Sequence, residues 1–390
     1  MGSVMFKNLK SVPHFFLLSL LASTSLSAFA EVTISGTVDQ AYETVKLTNI
    51  TGKLKINRIE PTLSNYNELK FTGSENLGPG LKAIFEVSFK DVGPDDADKI
   101  ASNYTSFVGL DGSFGKLKIG QQWRPMFNAV AYVDPTQLVY VPGFVGTSAG
   151  LATTPLSNSI TYNLPSIIPG VFVQYQKGYG ETSTRQGDST GLNLIFTDGE
   201  KFFIAYATNV EKMNSVGNFE GAAAGTSTVA QLGPLSPYFT IYDSTNGGER
   251  RMATGIAASY NFGPFKLVYG NLSEKVEGTV AKQDTEVMGV KIPLAQSLDF
   301  GYLKTKSDNK RGSGALTGTS FTQSGSRMLL TYGLSKRTTA YFAKGQVKYD
   351  GRILGSEFKT SIDALGIQHK FWFFSYFCSL NNPHAGLVAS

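Results

Sequence analysis

A single cysteine, Cys378, and three histidines, His14, His369 and His384, are spread over 390 residues. One cysteine excludes an intrachain disulfide framework. With no Cys/His cluster at ligand spacing, neither a metal nor any other cofactor is expected. Beyond residue 30, no apolar run approaches the roughly 20 residues that a membrane-spanning helix needs. Blocks of basic residues are also missing. The net charge is +5, but the lysines and arginines are scattered, so nucleic acid is not expected as a partner.

What the chain has is glycine, 42 residues, with 12% aromatic and only 41% hydrophobic content. That mixture suits many short strands joined by tight turns. The clearest case is the hairpin of residues 65–90. Leu81, Ala83, Phe85, Val87 and Phe89 alternate with Lys82, Glu86, Ser88 and Lys90, and Ile84 is the one apolar exception. Leu69 and Phe71 alternate in the same way with Glu68, Lys70 and Thr72. Between the arms, Glu75-Asn76-Leu77-Gly78-Pro79-Gly80 supplies turn chemistry.

At the start, Lys7 and Lys10 precede the apolar residues 15–22 and the small-x-small pattern Ala28-Phe29-Ala30. Residues 1–30 therefore read as a secretory signal peptide, and the exported chain begins at Glu31. Sixteen strand candidates follow. The first is 32–43, the second 65–73 and the last 359–371, an even number as single-chain bacterial barrels require. The connections alternate between tight (111–115, 165–170, 198–199, 263–264, 335–336) and long, with 124–157 and 210–250 the longest. A soluble sandwich has no reason to do this; a barrel with short periplasmic turns and long external loops does. The expected fold is all-β: a 16-stranded antiparallel transmembrane β-barrel over residues 31–371. Its apolar outer faces meet lipid and its polar inner faces line water.

Four stretches carry a family resemblance. They are Leu69 through Phe85, Ser106-Phe107-Val108-Gly109-Leu110 leading to Ile119-Gly120, Ser157 through Tyr162, and Leu365 through Phe371. Together they resemble the trimeric general porins of Gram-negative outer membranes, of the beta-proteobacterial type. The resemblance implies a homotrimer in outer-membrane lipid and lipopolysaccharide, delivered by the barrel assembly machinery and passing small hydrophilic solutes and ions. It also implies a third loop, 124–157, folded into the lumen. There Pro142-Gly143-Phe144 resembles the family's constriction element, with Gly143 at the acidic position. The wall arginines of the family correspond to Glu68, Tyr104 and Asn163. Lys70, Glu68, Arg124 and Asp134 are the expected lining charges, and their balance near zero implies weak ion selectivity.

Rival functions are thinner. An outer-membrane hydrolase needs a histidine near a serine. His369 alone qualifies by position, yet it shares the outer face with Leu365, Ile367 and Phe371, so no enzyme is expected. Asp95-Asp96-Ala97-Asp98 reads as a solvated external loop rather than a cation site. A surface-binding receptor or adhesin barrel would use the Ala/Gly-rich residues 221–227 of the loop 210–250. A solute-specific channel would use Tyr104, Trp123, Phe127 and Tyr132 as a stacking track. Residues 372–390 form an atypical tail, because alternation ceases at Phe371 where the family's chains end. Two readings stand: an extension of the last strand into the interface and, favoured because alternation ceases, the product of a lost stop codon or a frameshift.

Overall fold

The computed structural model describes residues 31–49, 52–63, 67–90, 102–139, 155–180, 186–213, 250–310, 320–350 and 358–376. Period-two alternation produces one antiparallel sheet of seventeen strand segments. The first six are β1 (Glu31–Asn49), β2 (Gly52–Glu60), β3 (Glu68–Gly78), β4 (Leu81–Lys90), β5 (Ser102–Gly112) and β6 (Gly115–Trp123). A short helix, α1 (Pro125–Val130), and a 3-10 turn (Ala131–Val133) come next. Then follow β7 (Pro155–Asn163), β8 (Val171–Gly178), β9 (Gln186–Thr197), β10 (Phe202–Met213) and β11 (Arg250–Asn261). The remainder are β12 (Lys266–Val276), β13 (Lys282–Ala295), β14 (Leu298–Lys310), β15 (Ser320–Gly333), β16 (Thr338–Asp350) and β17 (Phe358–Tyr376).

From β3 onward each strand pairs with the next, and β17 returns to β1 from Glu31↔Tyr376 to Thr48↔Lys359. The sheet closes on itself, which removes its edges. Seventeen segments fill sixteen barrel positions because β2 and β3 share one. β2 runs beside the upper half of β1, from Ala41↔Glu60 to Asn49↔Gly52. β3 runs beside the lower half, from Glu31↔Ser74 to Thr37↔Glu68. The barrel is the 16-stranded one that alternation predicts, and all sixteen candidates fall on observed strands.

β2 is the addition, and its pattern explains why it escapes notice. Leu54 and Ile56 face inward, while Lys53, Lys55 and Asn57 face out and are exposed. A search for apolar residues facing lipid passes over such a strand.

Elsewhere the outer face carries the apolar belt, with Leu194, Phe196, Ile204, Leu365 and Ile367 among its exposed members. Rings gather at the short turns. Phe196 lies 4.9 Å from Phe202, Tyr260 4.6 Å from Phe262, and Phe262 5.0 Å from Phe265, as in an interfacial girdle. At the β9–β10 turn, the Asp198 carboxylate accepts the backbone N–H groups of Phe202, Glu200 and Lys201 at 3.0, 3.0 and 2.8 Å. These bonds, Phe202 first, hold its pKa below the usual carboxylate value.

β17 does not stop where alternation ends. Its ladder with β1 continues five residues past Phe371, to Tyr376. Trp372 also lies under the Arg337 guanidinium, 4.0 Å from ring centroid to carbon. Residues 377–390 lie outside the described residues. His369 is exposed on the outer face, its Nδ1 2.9 Å from Thr338 Oγ1, as its spacing predicts.

The inner faces correct one expectation. On β3 and β4 they are polar and half-exposed: Glu68, Lys70, Thr72, Glu86 and Lys90. From β10 round to β17 they are largely small or apolar and fully buried, as at Ala207, Ala257, Leu272, Leu303, Ala343 and Ile362. A wall like that does not line water. It is covered from inside the barrel.

Candidate functional site

The cover begins where β6 ends. Trp123 stacks on Phe127 at 3.9 Å and 16°, and meets Tyr104 edge-on at 4.7 Å. Lys90 Nζ sits 5.4 Å from the centre of the Tyr104 ring. These three rings direct their surfaces at one another and fasten the start of the loop to the wall. The side chain of Tyr132, the fourth ring of the expected track, lies outside the described ones.

Pro125 then opens α1 with a preset φ and no N–H to satisfy. A six-residue helix has no stability of its own in water, so the wall must hold it. Asn193 Nδ2 donates to Pro125 O at 3.0 Å, Met126 N donates to Asn209 Oδ1 at 3.2 Å, and Asn128 Nδ2 donates to Gln174 Oε1 at 3.0 Å. Met126, Ala129, Val130 and Val133 are buried against the inner alanines and leucines of β10 to β14. Each larger one contributes roughly 1.5–3 kcal/mol by leaving water.

Glycines make the room. A Cβ on Gly191 of β9 would stand 2.9 Å from Pro125 Cγ, and one on Gly255 of β11 would stand 2.9 Å from Met126 Sδ. A Cβ on Gly301 of β14 would collide with the backbone oxygen of Pro135. The loop therefore lies directly on the inner wall, through the Pro125 ring, the Met126 side chain and, at Gly301, backbone against backbone.

Charge fastens both ends. At the start, Arg124 Nη1 is 2.9 Å from Glu211 Oε2 and donates to Ser189 Oγ at 3.4 Å. The neighbouring Arg251 is paired with Glu274. At the far end, Arg327 of β15 donates through Nη2 to Asp134 Oδ2 at 2.5 Å and through Nη1 to Val139 O at 2.9 Å. The same Asp134 carboxylate accepts Thr136 N and Oγ1 at 2.8 and 2.6 Å. Gln137 and Leu138 between these anchors have φ of 50° and 57°, a costly conformation for residues other than glycine. Their turn is closed by Val139 N, which donates to Thr136 O at 3.1 Å, and is flanked by the two Arg327 bonds. Val139 ends the described part of the loop in an isolated antiparallel bridge with Leu63.

The residues expected at the site are distributed as follows. Glu68 and Lys70 stand on the open wall, 3.2 Å apart and part-exposed. Arg124 and Asp134 sit at the two ends of the docked segment, with side chains 4% and 0% exposed, so their charges face partners rather than water. Tyr104 is buried in the ring stack. Asn163 is the last residue of β7, opposite Lys116 and Gln174, beside the 164–170 turn. Pro142, Gly143 and Phe144 lie outside the described residues. Glu211, Arg251, Glu274 and Arg327 were missed. Each occupies an inward strand position that alternation marks, but Glu211 and Arg327 meet partners on the docked loop and Arg251 meets Glu274 of the adjacent strand, pairings that no local pattern reveals.

Arg124, Arg251 and Arg327 are matched by Glu211, Glu274 and Asp134, so the docked segment adds no net charge to the lumen. On the open wall, Glu86 Oε1 accepts from Thr105 Oγ1 at 2.6 Å and lies close enough to Lys118 to interact with it. Such an arrangement, with charges of both signs on one wall and a clamped loop on the other, can narrow a water path.

A family model described as Gram-negative porin matches residues 18–352. Major outer membrane protein P.IB of Neisseria meningitidis serogroup B is 35% identical over 103 residues, which is 26% of this chain and 31% of that protein. With that relative, the match spans about a third of its length. P.IB of Neisseria sicca is 23% identical over 372 residues, covering 90% of this chain and 98% of the relative. Among solved structures, an anion-selective porin from Comamonas acidovorans aligns with a TM-score of 0.67 at 19% identity, over 88% of this chain and 100% of that one. The trimer form of OmpT from Vibrio cholerae aligns with a TM-score of 0.59 at 14% identity, over 88% and 99%.

Proposed function

Because the chain belongs to the Gram-negative porin family, we propose that it is an outer-membrane channel for passive diffusion of small hydrophilic solutes and ions. The observation that carries this reading is the docked segment 124–139, which covers the apolar inner wall and leaves the polar wall of β3 to β6 facing the lumen. Solutes pass between the two. Size is limited by the gap, and no energy source or cofactor is needed. The family and the trimeric solved relative support assembly as a homotrimer. Residues 1–30 act as the signal peptide in this proposal. Outer-membrane lipid, lipopolysaccharide and the assembly machinery are its partners.

Selectivity is weak because Glu68 and Lys70 largely cancel at 3.2 Å. Lys70→Glu replaces that balance with two neighbouring carboxylates. The zero-current potential across a salt gradient, small for the parent protein, is expected to move towards cation preference. An unmoved potential would place the water path away from the β3 wall.

A further inference from the structure

The second barrel position contains a surplus of chain. Glu60 pairs with Ala41 and Glu68 with Thr37, so β1 spends three residues, 38–40, where the opposite strand spends seven, 61–67. Four residues are left over, and the described part of them turns inward. Pro61, Thr62 and Leu63 are buried, as is Asn67 where the strand resumes.

Side chains close the gap this opens. Asp39 N, left between the two ladders, donates to Asn67 Oδ1 at 2.6 Å. Asp39 Oδ2 accepts Leu63 N at 2.7 Å, and its Oδ1 accepts the Tyr341 hydroxyl at 2.7 Å. Thr62 Oγ1 donates to Glu43 Oε1 at 2.6 Å, while Arg58 holds Glu43 Oε2 through Nε and Nη2 at 2.9 and 2.8 Å. A strand interruption with its polar groups satisfied in this way is a built feature. Its tip meets the loop: Leu63 bridges Val139, and both join a buried cluster with Leu329, Tyr341 and Ile362.

We infer that residues 61–63 form a second inward element of the constriction, which joins the end of the docked loop at Val139 and helps set the width of the channel. The inner arc then runs from β6 along the loop to Arg327 on β15, and through Leu63 to β1. The inference rests on the channel reading above, and its first test does not depend on conductance.

Residues facing each other across an antiparallel bridge have Cα atoms roughly 4.5–5.5 Å apart, within disulfide range. In a Cys378→Ser background, Leu63→Cys with Val139→Cys is expected to cross-link on mild oxidation of the folded, heat-resistant full chain. The crosslink is read as a mobility change that thiol reduction reverses. Folded protein that does not cross-link would overturn the inference, whatever its conductance. The second test replaces residues 61–67 with three strand-forming residues, which restores one-to-one pairing with 38–40 and keeps the facing of both strands. Higher single-channel conductance and a larger polymer-exclusion limit are expected. Unchanged values would overturn the inference. If that variant does not fold, the cross-linked pair still decides: oxidation is expected to quiet the open-channel current relative to the reduced form, and equal noise in both would count against the role proposed.

Discussion

Arg327→Ala is expected to turn a quiet open channel into a larger, noisier one while leaving the barrel folded. Arg327 is the only described wall residue seen to bond both Asp134 and Val139. Removing it leaves the Asp134 carboxylate, whose side chain is 0% exposed, facing an apolar wall without its cation. Breaking one side of such a buried pair costs about 3–5 kcal/mol, or roughly two to four orders of magnitude in the balance between docked and undocked loop. The strained Gln137–Leu138 turn, at φ of 50° and 57°, also loses the bond that follows it. The loop escapes this cost by lifting into the lumen, where water can reach the carboxylate. Single-channel recording should show current fluctuations absent from the parent, together with an unaltered heat-resistant band on gels. Asp134→Leu combined with Arg327→Met removes both charges. It should be quieter than Arg327→Ala, because no buried ion is then orphaned. A single variant as quiet as the parent would show that the loop is held without the clasp.

Gly301→Val is the second large effect. The strand itself tolerates valine, since Gly301 does not have the left-handed φ that favours glycine and a β-branched residue suits a strand. The loop does not tolerate it, because the new Cβ would take the place of the Pro135 backbone oxygen. Backbone cannot swing aside as a side chain can. The expected outcome is a normally assembled barrel with higher conductance and a larger exclusion limit. Gly301→Ala should shift both in the same direction by less. Gly333→Ala on the next strand is the control, because its nearest neighbours stand at 3.8 Å and nothing needs to move. If Gly301→Val conducts like the parent, the loop does not run where these contacts place it.

Much of the barrel was legible because a strand between lipid and an interior repeats every two residues, and fifteen of the sixteen positions carry that pattern along a single segment. The other position was only half read. Its β3 part was found, but β2 has lysines on its outer face and leucine and isoleucine inside, the reverse of a lipid-facing strand. The end of β17 was left between two readings for a related reason: Trp372 to Tyr376 are nearly all apolar, so no alternation marks a strand, and the β1 ladder decides for the extension.

The site was less legible than the fold. Arg124 and Asp134 were singled out as lining charges from their place on the loop, yet each is paired with a residue far along the chain, Glu211 and Arg327. Glycines at 191, 255 and 301 look like ordinary strand glycines until the loop is laid across them. The expectation of a uniformly polar lumen failed on the same point, because apolar inner faces are reasonable only where another part of the chain covers them.

The most direct measurement is single-channel conductance of the refolded chain in planar bilayers, taken with the zero-current potential across a salt gradient. Stable steps in groups of three and a small potential are the expected result, from a trimer of water-filled, weakly selective pores. Folded, heat-resistant protein that inserts but passes no current would contradict it, and the external surface of the barrel would then become the place to look for function.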